Sequence, residues 1–236
     1  MPIGDNSSAA PNKMWRYMTF SRFLWLLQRK QLWLSRADLL GDPWEMALAG
    51  NQLQHVIQRH PPPQLPLNGE PHETPMERAM RIIPQWRKTT FVNCWRASEH
   101  ESHALWRIYC GASEGIALET SYDKLVASLN GPTLFQVFYE TPGSAKRTPT
   151  REDLITKKRP AFEYEQEFRI LLTEERASEE SGLPIDWNPE EHVVGIRVHP
   201  EADASFMQVV ASSIANHAPA LKDCVMWSDM RAPPPV

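Results

Sequence analysis

Met14–Glu45, MWRYMTFSRFLWLLQRKQLWLSRADLLGDPWE, decides how the chain is read. Met14 to Met18 is short and aromatic, and Thr19 and Ser21 close it, which predicts a strand running into a helix N-cap. Phe20, Phe23, Leu24 and Leu27 recur at helical spacing, with Arg22, Arg29 and Lys30 on the opposite side. Gln31 to Ser35 alternates and predicts a second strand. Two strands joined by so short a helix return to one core and carry Arg16 and Ser35 with them. A guanidinium on an apolar strand needs an anion or a route to water, so Arg16 is the first candidate. An ion-pair role explains it equally well. Ser35, at a strand end, either contacts a ligand or caps the next turn. Beyond it, Asp42 before Pro43, with Glu45 at the third helical position, has the spacing of a capping box, predicting a helix from Pro43 to about Gln58.

With 236 residues, 42% hydrophobic and nine tryptophans, the chain suffices for one folded domain over 13–230, with a disordered tail over 1–12 and a short tail over 231–236. A net charge of -4 gives no general attraction to nucleic acid or anionic membrane. No apolar run reaches the roughly 20 residues of a membrane span, and the N-terminus lacks the charged and apolar regions of a signal peptide, so a cytoplasmic location is expected. Three cysteines, Cys94, Cys110 and Cys224, without a CxxC pair predict small core residues rather than a disulfide framework. His100 and His103 have helical metal spacing but no third ligand nearby.

The stretch from His60 to Pro75 is proline-rich and predicts a mobile surface loop. Met76 to Trp86 regains helical spacing, Thr90 to Trp95 reads as a strand, and His103 to Tyr109 as a helix. A strand at Gly115 to Thr120, a helix at Tyr122 to Leu129 and a strand at Thr133 to Tyr139 follow. The next loop, Glu140 to Arg159, carries Lys146, Arg147, Arg151, Lys157, Lys158 and Arg159 against Glu152 and Asp153. It is solvated, or else a cationic clamp for phosphate or nucleic acid. A strand at Val193 to Val198, a helix over Ala202 to Asn216 and a strand at Cys224 to Trp227 complete the chain. The irregular connections predict an α+β fold with a mixed, mostly central sheet flanked by helices.

Phe162 to Leu172, FEYEQEFRILL, holds the densest chemistry. Read as a strand, it lines Glu163, Glu165, Glu167 and Arg169 along one face and Tyr164, Phe168, Ile170 and Leu172 along the other. Carboxylates about 7 Å apart repel by about 0.6 kcal/mol in water and about 2.4 kcal/mol at an effective dielectric of 20. Buried, such a row needs a cation, and Arg16 is the candidate to supply it. The row suits a metal ion or a cationic sugar-like transition state; a charged outer face of an edge strand has the same pattern.

Trp15-Arg16-Tyr17, Leu32-Trp33-Leu34-Ser35, Asp42-Pro43-Trp44-Glu45, Leu105-Trp106 with Tyr109, Gly115-Ile116 and Tyr164-Glu165-Gln166-Glu167-Phe168-Arg169 together resemble the uncharacterised bacterial DUF2971 family over about Met14 to Val198. Gly41 stands where an Asn is usual and Phe162 where a Trp is usual. The family name carries no activity. The opening Arg and Ser with a late Glu-x-Glu are similar to the arrangement of ADP-ribosyltransferase-like folds. That likeness implies NAD as substrate, with Arg16 on its phosphates, Ser35 on the nicotinamide ribose, Glu167 stabilising the oxocarbenium and Glu165 orienting the acceptor, a protein or nucleic acid. Tyr17 or Tyr109 would stack on nicotinamide, and Arg169 would join the cofactor-binding set. Two other readings stand beside it: a metal-dependent hydrolase or nuclease using Asp42, Glu45, Glu165 and Glu167, and a non-enzymatic binding or regulatory module of a bacterial stress or phage-defence system.

Overall fold

The opening stretch folds as strand, helix, strand: β1 Lys13–Thr19, α1 Phe20–Arg29 and β2 Gln31–Arg36. The computed structural model describes residues 12–47, 74–141, 150–176 and 179–231. Phe23, Leu26 and Leu27 form the buried stripe of α1. Lys30, at φ 52°, takes the left-handed conformation that ends the helix, and its N–H reaches Leu26 O at 2.8 Å. That reversal lets β2 begin one residue later.

The remaining elements are α2 Pro75–Lys88, β3 Thr90–Ala97, α3 His103–Cys110, β4 Gly115–Ser121, α4 Tyr122–Ala127, β5 Thr133–Gln136, β6 Phe138–Tyr139, α5 Arg151–Ile155, β7 Lys157–Lys158, β8 Glu167–Thr173, β9 Gly182–Asp186, α6 Pro189–His192, β10 Gly195–Val198, α7 Ala204–His217 and β11 Val225–Trp227. The fold is α+β with a mixed sheet flanked by helices. The chain forms two compact units, one holding Met1–Leu32, Trp95–Asn130 and Ile185–Val236, the other Trp33–Cys94 and Gly131–Pro184.

In the first unit the strand order is β11-β10-β4-β1-β3, parallel between β10 and β11 and antiparallel elsewhere. The register places Arg16 opposite Leu118 and Tyr17 opposite Ala117. Trp15, Tyr17, Leu105, Trp106, Cys110 and Ala117 form one buried cluster that seats α3 on the sheet. A Cβ on Gly115 would lie 2.1 Å from Cys110 Cβ, so the helix end and the strand start touch backbone to side chain. Phe20 of α1 meets Phe206 of α7 edge-on at 5.3 Å.

In the second unit β2 and β3 are antiparallel, with Ser35 opposite Val92, and β5 runs antiparallel to β8, which also pairs with β3. Ala37, Met46, Val92, Leu154, Ile155 and Leu171 form its core, with Ile83 and Trp86 of α2 against it. Thr74 and Glu77 cap α2 reciprocally, and Pro75 occupies its first position.

Four expectations need correction here. The strand predicted over Phe162–Leu172 begins only at Glu167: Pro160–Glu165 is a 3₁₀ turn, opened by the fixed φ of Pro160 and closed by Gln166 at φ 44°. The strand predicted over Thr133–Tyr139 breaks at Val137, whose N–H turns to Glu167 O at 2.9 Å. The loop predicted over Glu140–Arg159 contains α5 and β7, and β7 pairs in parallel with β6. The helix expected from Pro43 is a turn over its described start, Pro43–Met46, and its remainder lies outside the described residues. The expected tail before Asn12, the loop over 60–73 and the terminal residues 232–236 also lie outside them.

Candidate functional site

Strand β8 opens with Glu167 and places Arg169 two residues on, so both side chains leave the same face of the strand. Arg169 is 1% exposed. Its Nε and Nη2 donate to Glu167 Oε1 and Oε2 at 2.9 and 3.0 Å, and its Nη1 and Nη2 donate to Glu45 Oε2 and Oε1 at 2.8 Å each. Nη1 also donates to the carbonyl of Ile155. A guanidinium has five N–H groups, and this one has used them all.

Lys158, on β7, lies beside this pair. Its Nζ donates to Glu165 Oε2 at 2.5 Å and Glu167 Oε2 at 3.3 Å, stands 3.8 Å from Glu45 Oε1, and sits 4.6 Å from the centre of the Phe162 ring. The Tyr139 hydroxyl accepts from the Glu167 N–H at 2.8 Å. Three buried carboxylates thus converge on two buried cations. Burial alone would raise the pKa of Glu167, but Arg169, Lys158 and the Cys94 thiol outweigh it and hold it at about 2. Burial alone would depress Lys158, and Glu167 and Glu165 outweigh that and raise it above the usual lysine range. Burial pushes the Tyr139 phenol up to about 12.

Backbone geometry makes this convergence possible. Gln166, between Glu165 and Glu167, and Met46, following Glu45, both have positive φ, 44° and 55°. Among the described residues of the second unit these are the non-glycine positions in that region, which costs an L side chain of order 1 kcal/mol or more. In a regular strand Glu165 and Glu167 would project in parallel; the left-handed residue between them lets both reach the same ammonium.

The sequence-predicted residues divide accordingly. Glu165, Glu167 and Arg169 come together, while Glu163 is exposed on the 3₁₀ turn. Ser35 is half-buried on β2 in the same unit, and Arg16 is half-buried on β1 in the first unit. Tyr17 is a core ring, edge-on to Trp106 at 5.1 Å, and its hydroxyl accepts from Ser102 N at 2.7 Å. Burial raises its pKa above the usual phenol range, and no face is left for stacking. Tyr109, on α3, is 42% exposed. Arg169, expected to touch a cofactor, has no donor left and acts by positioning Glu45 and Glu167.

Asp42 and Glu45 do not form a capping box. Asp42 accepts from Trp44 N at 3.0 Å and from Arg159, whereas Glu45 turns to Arg169. The four acids of the metal reading are neutralised by Lys158, Arg159 and Arg169. His100 serves through its carbonyl, which accepts from Arg96 Nη1 at 2.7 Å. Cys110 donates its thiol to Met18 O, and burial pushes its pKa up to about 12, the signature of a core residue rather than a nucleophile.

Lys158 was the residue sequence reasoning missed. The requirement for a cation near the carboxylates is legible, but the sequence offers Arg16 for it and reads the Lys157-Lys158-Arg159 run as a solvated loop or a cationic clamp for phosphate or nucleic acid. In the structure Lys157 pairs with Glu140, Lys158 with the glutamates and Arg159 with Asp42.

No protein-family model and no curated protein matches the chain, so the resemblance to the uncharacterised bacterial family has no such support. Among solved structures it is similar to Thermus sp. 2.9 DarT in complex with ADP-ribosylated ssDNA, at a TM-score of 0.46 and 12% identity, covering 94% of this chain and 97% of that one. That likeness is too low to carry residue roles from one chain to the other. No described helix is long and apolar enough to cross a membrane.

Proposed function

We propose that the chain cleaves NAD between nicotinamide and ribose and passes the ADP-ribose to an acceptor or to water. One observation carries this reading: Glu167 is 4% exposed yet held at a pKa of about 2, with its orientation fixed by the Arg169 fork. Breaking the glycosidic bond leaves the electron pair on the nicotinamide nitrogen and positive charge at ribose C1′. A carboxylate already ionised and oriented in low-dielectric surroundings stabilises that charge without reorganising. The acceptor then attacks C1′ and gives up its proton, and Glu165, across Lys158 from Glu167, is the group assigned to orient it. Ser35 is assigned to the ribose.

A non-catalytic binding module is the second reading, favoured by the saturation of Arg169, since structural ion networks also perturb pKa values. Calorimetric titration of NAD with parallel measurement of nicotinamide release decides between them. Glu167→Gln should lower turnover far more than NAD affinity, and melting of that variant separates lost chemistry from lost folding. Absence of both binding and release in the wild type would leave the binding module.

A further inference from the structure

Arg159 is held differently from the other cations of its run. Its backbone is extended at φ -66° and ψ 147°, as a residue before proline must be. One edge of its guanidinium, Nε and Nη2, donates to Asp42 Oδ2 and Oδ1 at 3.3 and 2.8 Å, and the Asp42 side chain is 3% exposed. Two rings flank it: Trp44 at 5.9 Å and Phe162 at 5.4 Å from the guanidinium carbon. The remaining nitrogen, Nη1, has no partner among the described residues, and the side chain is 38% exposed. Asp42 serves twice here, because it also accepts from Trp44 N at 3.0 Å and so fixes the turn that carries the indole.

The geometry points to a nucleoside-diphosphate subsite, in which the Nη1 edge of Arg159 takes a phosphate and the indole of Trp44, 46% exposed, stacks the base. A guanidinium pinned by a buried carboxylate and two rings loses little freedom on binding, and its free edge forms charge-assisted hydrogen bonds to phosphate oxygens. An exposed indole beside it supplies the sequence-tolerant stacking a nucleobase uses. Lys157 and Lys158 contribute nothing direct, since Glu140 and the buried glutamates hold them. The subsite extends the NAD reading, because ADP is half of NAD. ADP has no nicotinamide bond to cleave, so its binding is tested apart from catalysis.

The experiment is calorimetric titration of the full chain with ADP, adenosine and inorganic pyrophosphate, using wild type, Trp44→Leu, Arg159→Lys and the double variant Asp42→Asn with Arg159→Gln, which removes both charges together. ADP affinity should fall roughly tenfold or more in Trp44→Leu and in the double variant. Pyrophosphate binding should fall in the two Arg159 variants and hold in Trp44→Leu, and adenosine binding should show the reverse. Trp44→Leu, a change at an exposed side chain, keeps the test open if the double variant unfolds. Failure of ADP to bind the wild type, or unchanged affinity in Trp44→Leu and Arg159→Lys, overturns the proposal. ADP binding without nicotinamide release would overturn the transferase reading and leave the subsite standing; release with an unaltered KM in both single variants would do the opposite.

Discussion

Glu45 and Arg169, 124 positions apart in the chain, are joined by two parallel hydrogen bonds of 2.8 Å each. The pair ties the turn after β2 to the first residues of β8 where neither side chain reaches water. Removing one partner strands the other as a buried charge. Glu45→Ala should therefore destabilise the protein by roughly 3–5 kcal/mol in urea unfolding, whereas Glu45→Leu with Arg169→Met should lose less than the sum of its single changes. Additivity to within about 0.5 kcal/mol would show that the two residues do not act as a pair.

The carboxylate of Glu167 has a distinct acid signature. Its folded pKa, about 2, lies below the ordinary value of 4.5, so the stabilisation it provides is present above pH 4.5 and is lost as pH falls toward 2. The loss amounts to at most about 3 kcal/mol. Stability measured from pH 5 to 2.5 should fall steeply in the wild type and less steeply in Glu167→Gln. Equal slopes would remove Glu167 from the account of acid lability.

Lys158 predicts the mirror effect in alkali. Its pKa is raised, so its contribution is complete below about 10.5 and declines as pH climbs above that value. Lys158→Met should be less stable than wild type at pH 7 and should lose less between pH 10 and 12. A parallel decline in both proteins would place the alkaline transition elsewhere.

At Gln166 the backbone sets the expectation. Gln166→Gly should be neutral or stabilising by up to about 1 kcal/mol, and Gln166→Val should be destabilising, since φ 44° favours glycine and crowds a β-branched side chain. Melting temperatures of the two variants in that order would confirm the strain; the reverse order would refute it.

Gly115 offers a packing test with an internal control. Gly115→Ala places a Cβ 2.1 Å from Cys110 Cβ and 3.1 Å from its Cα, an overlap that costs typically 1–3 kcal/mol in a packed core, while Gly41→Ala meets nothing within 4 Å. Comparable melting temperatures for the two would mean that α3 can shift away from β4 freely.

The elements that the sequence made plain are those whose signals are local. β1, α1 and β2 follow from periodicity within each segment, and most of α2 from the helical spacing over Met76 to Trp86, although its capped start at Thr74 and Pro75 was read as loop. FEYEQEFRILL was legible in its second half, where Glu167, Phe168 and Arg169 alternate, and misleading in its first, where Pro160 and a left-handed Gln166 override the same alternation. The cations were opaque for a different reason. Arg159 finds Asp42 at a separation of 117 residues, and nothing in a run of three basic residues reveals that one of its three members has its counter-charge in a turn before α2. Burial depends on where the rest of the chain goes, and a local pattern contains no such information.

Because all five N–H groups of Arg169 are engaged, the wall behind Glu167 has no slack. A guanidinium with a donor to spare can trade partners and let its carboxylate swing; this one can release Glu167 only by leaving a buried N–H unanswered, which costs about 1–3 kcal/mol. Glu167 is consequently a fixed point. On the proposed NAD reading, the substrate rather than the glutamate would have to do the moving.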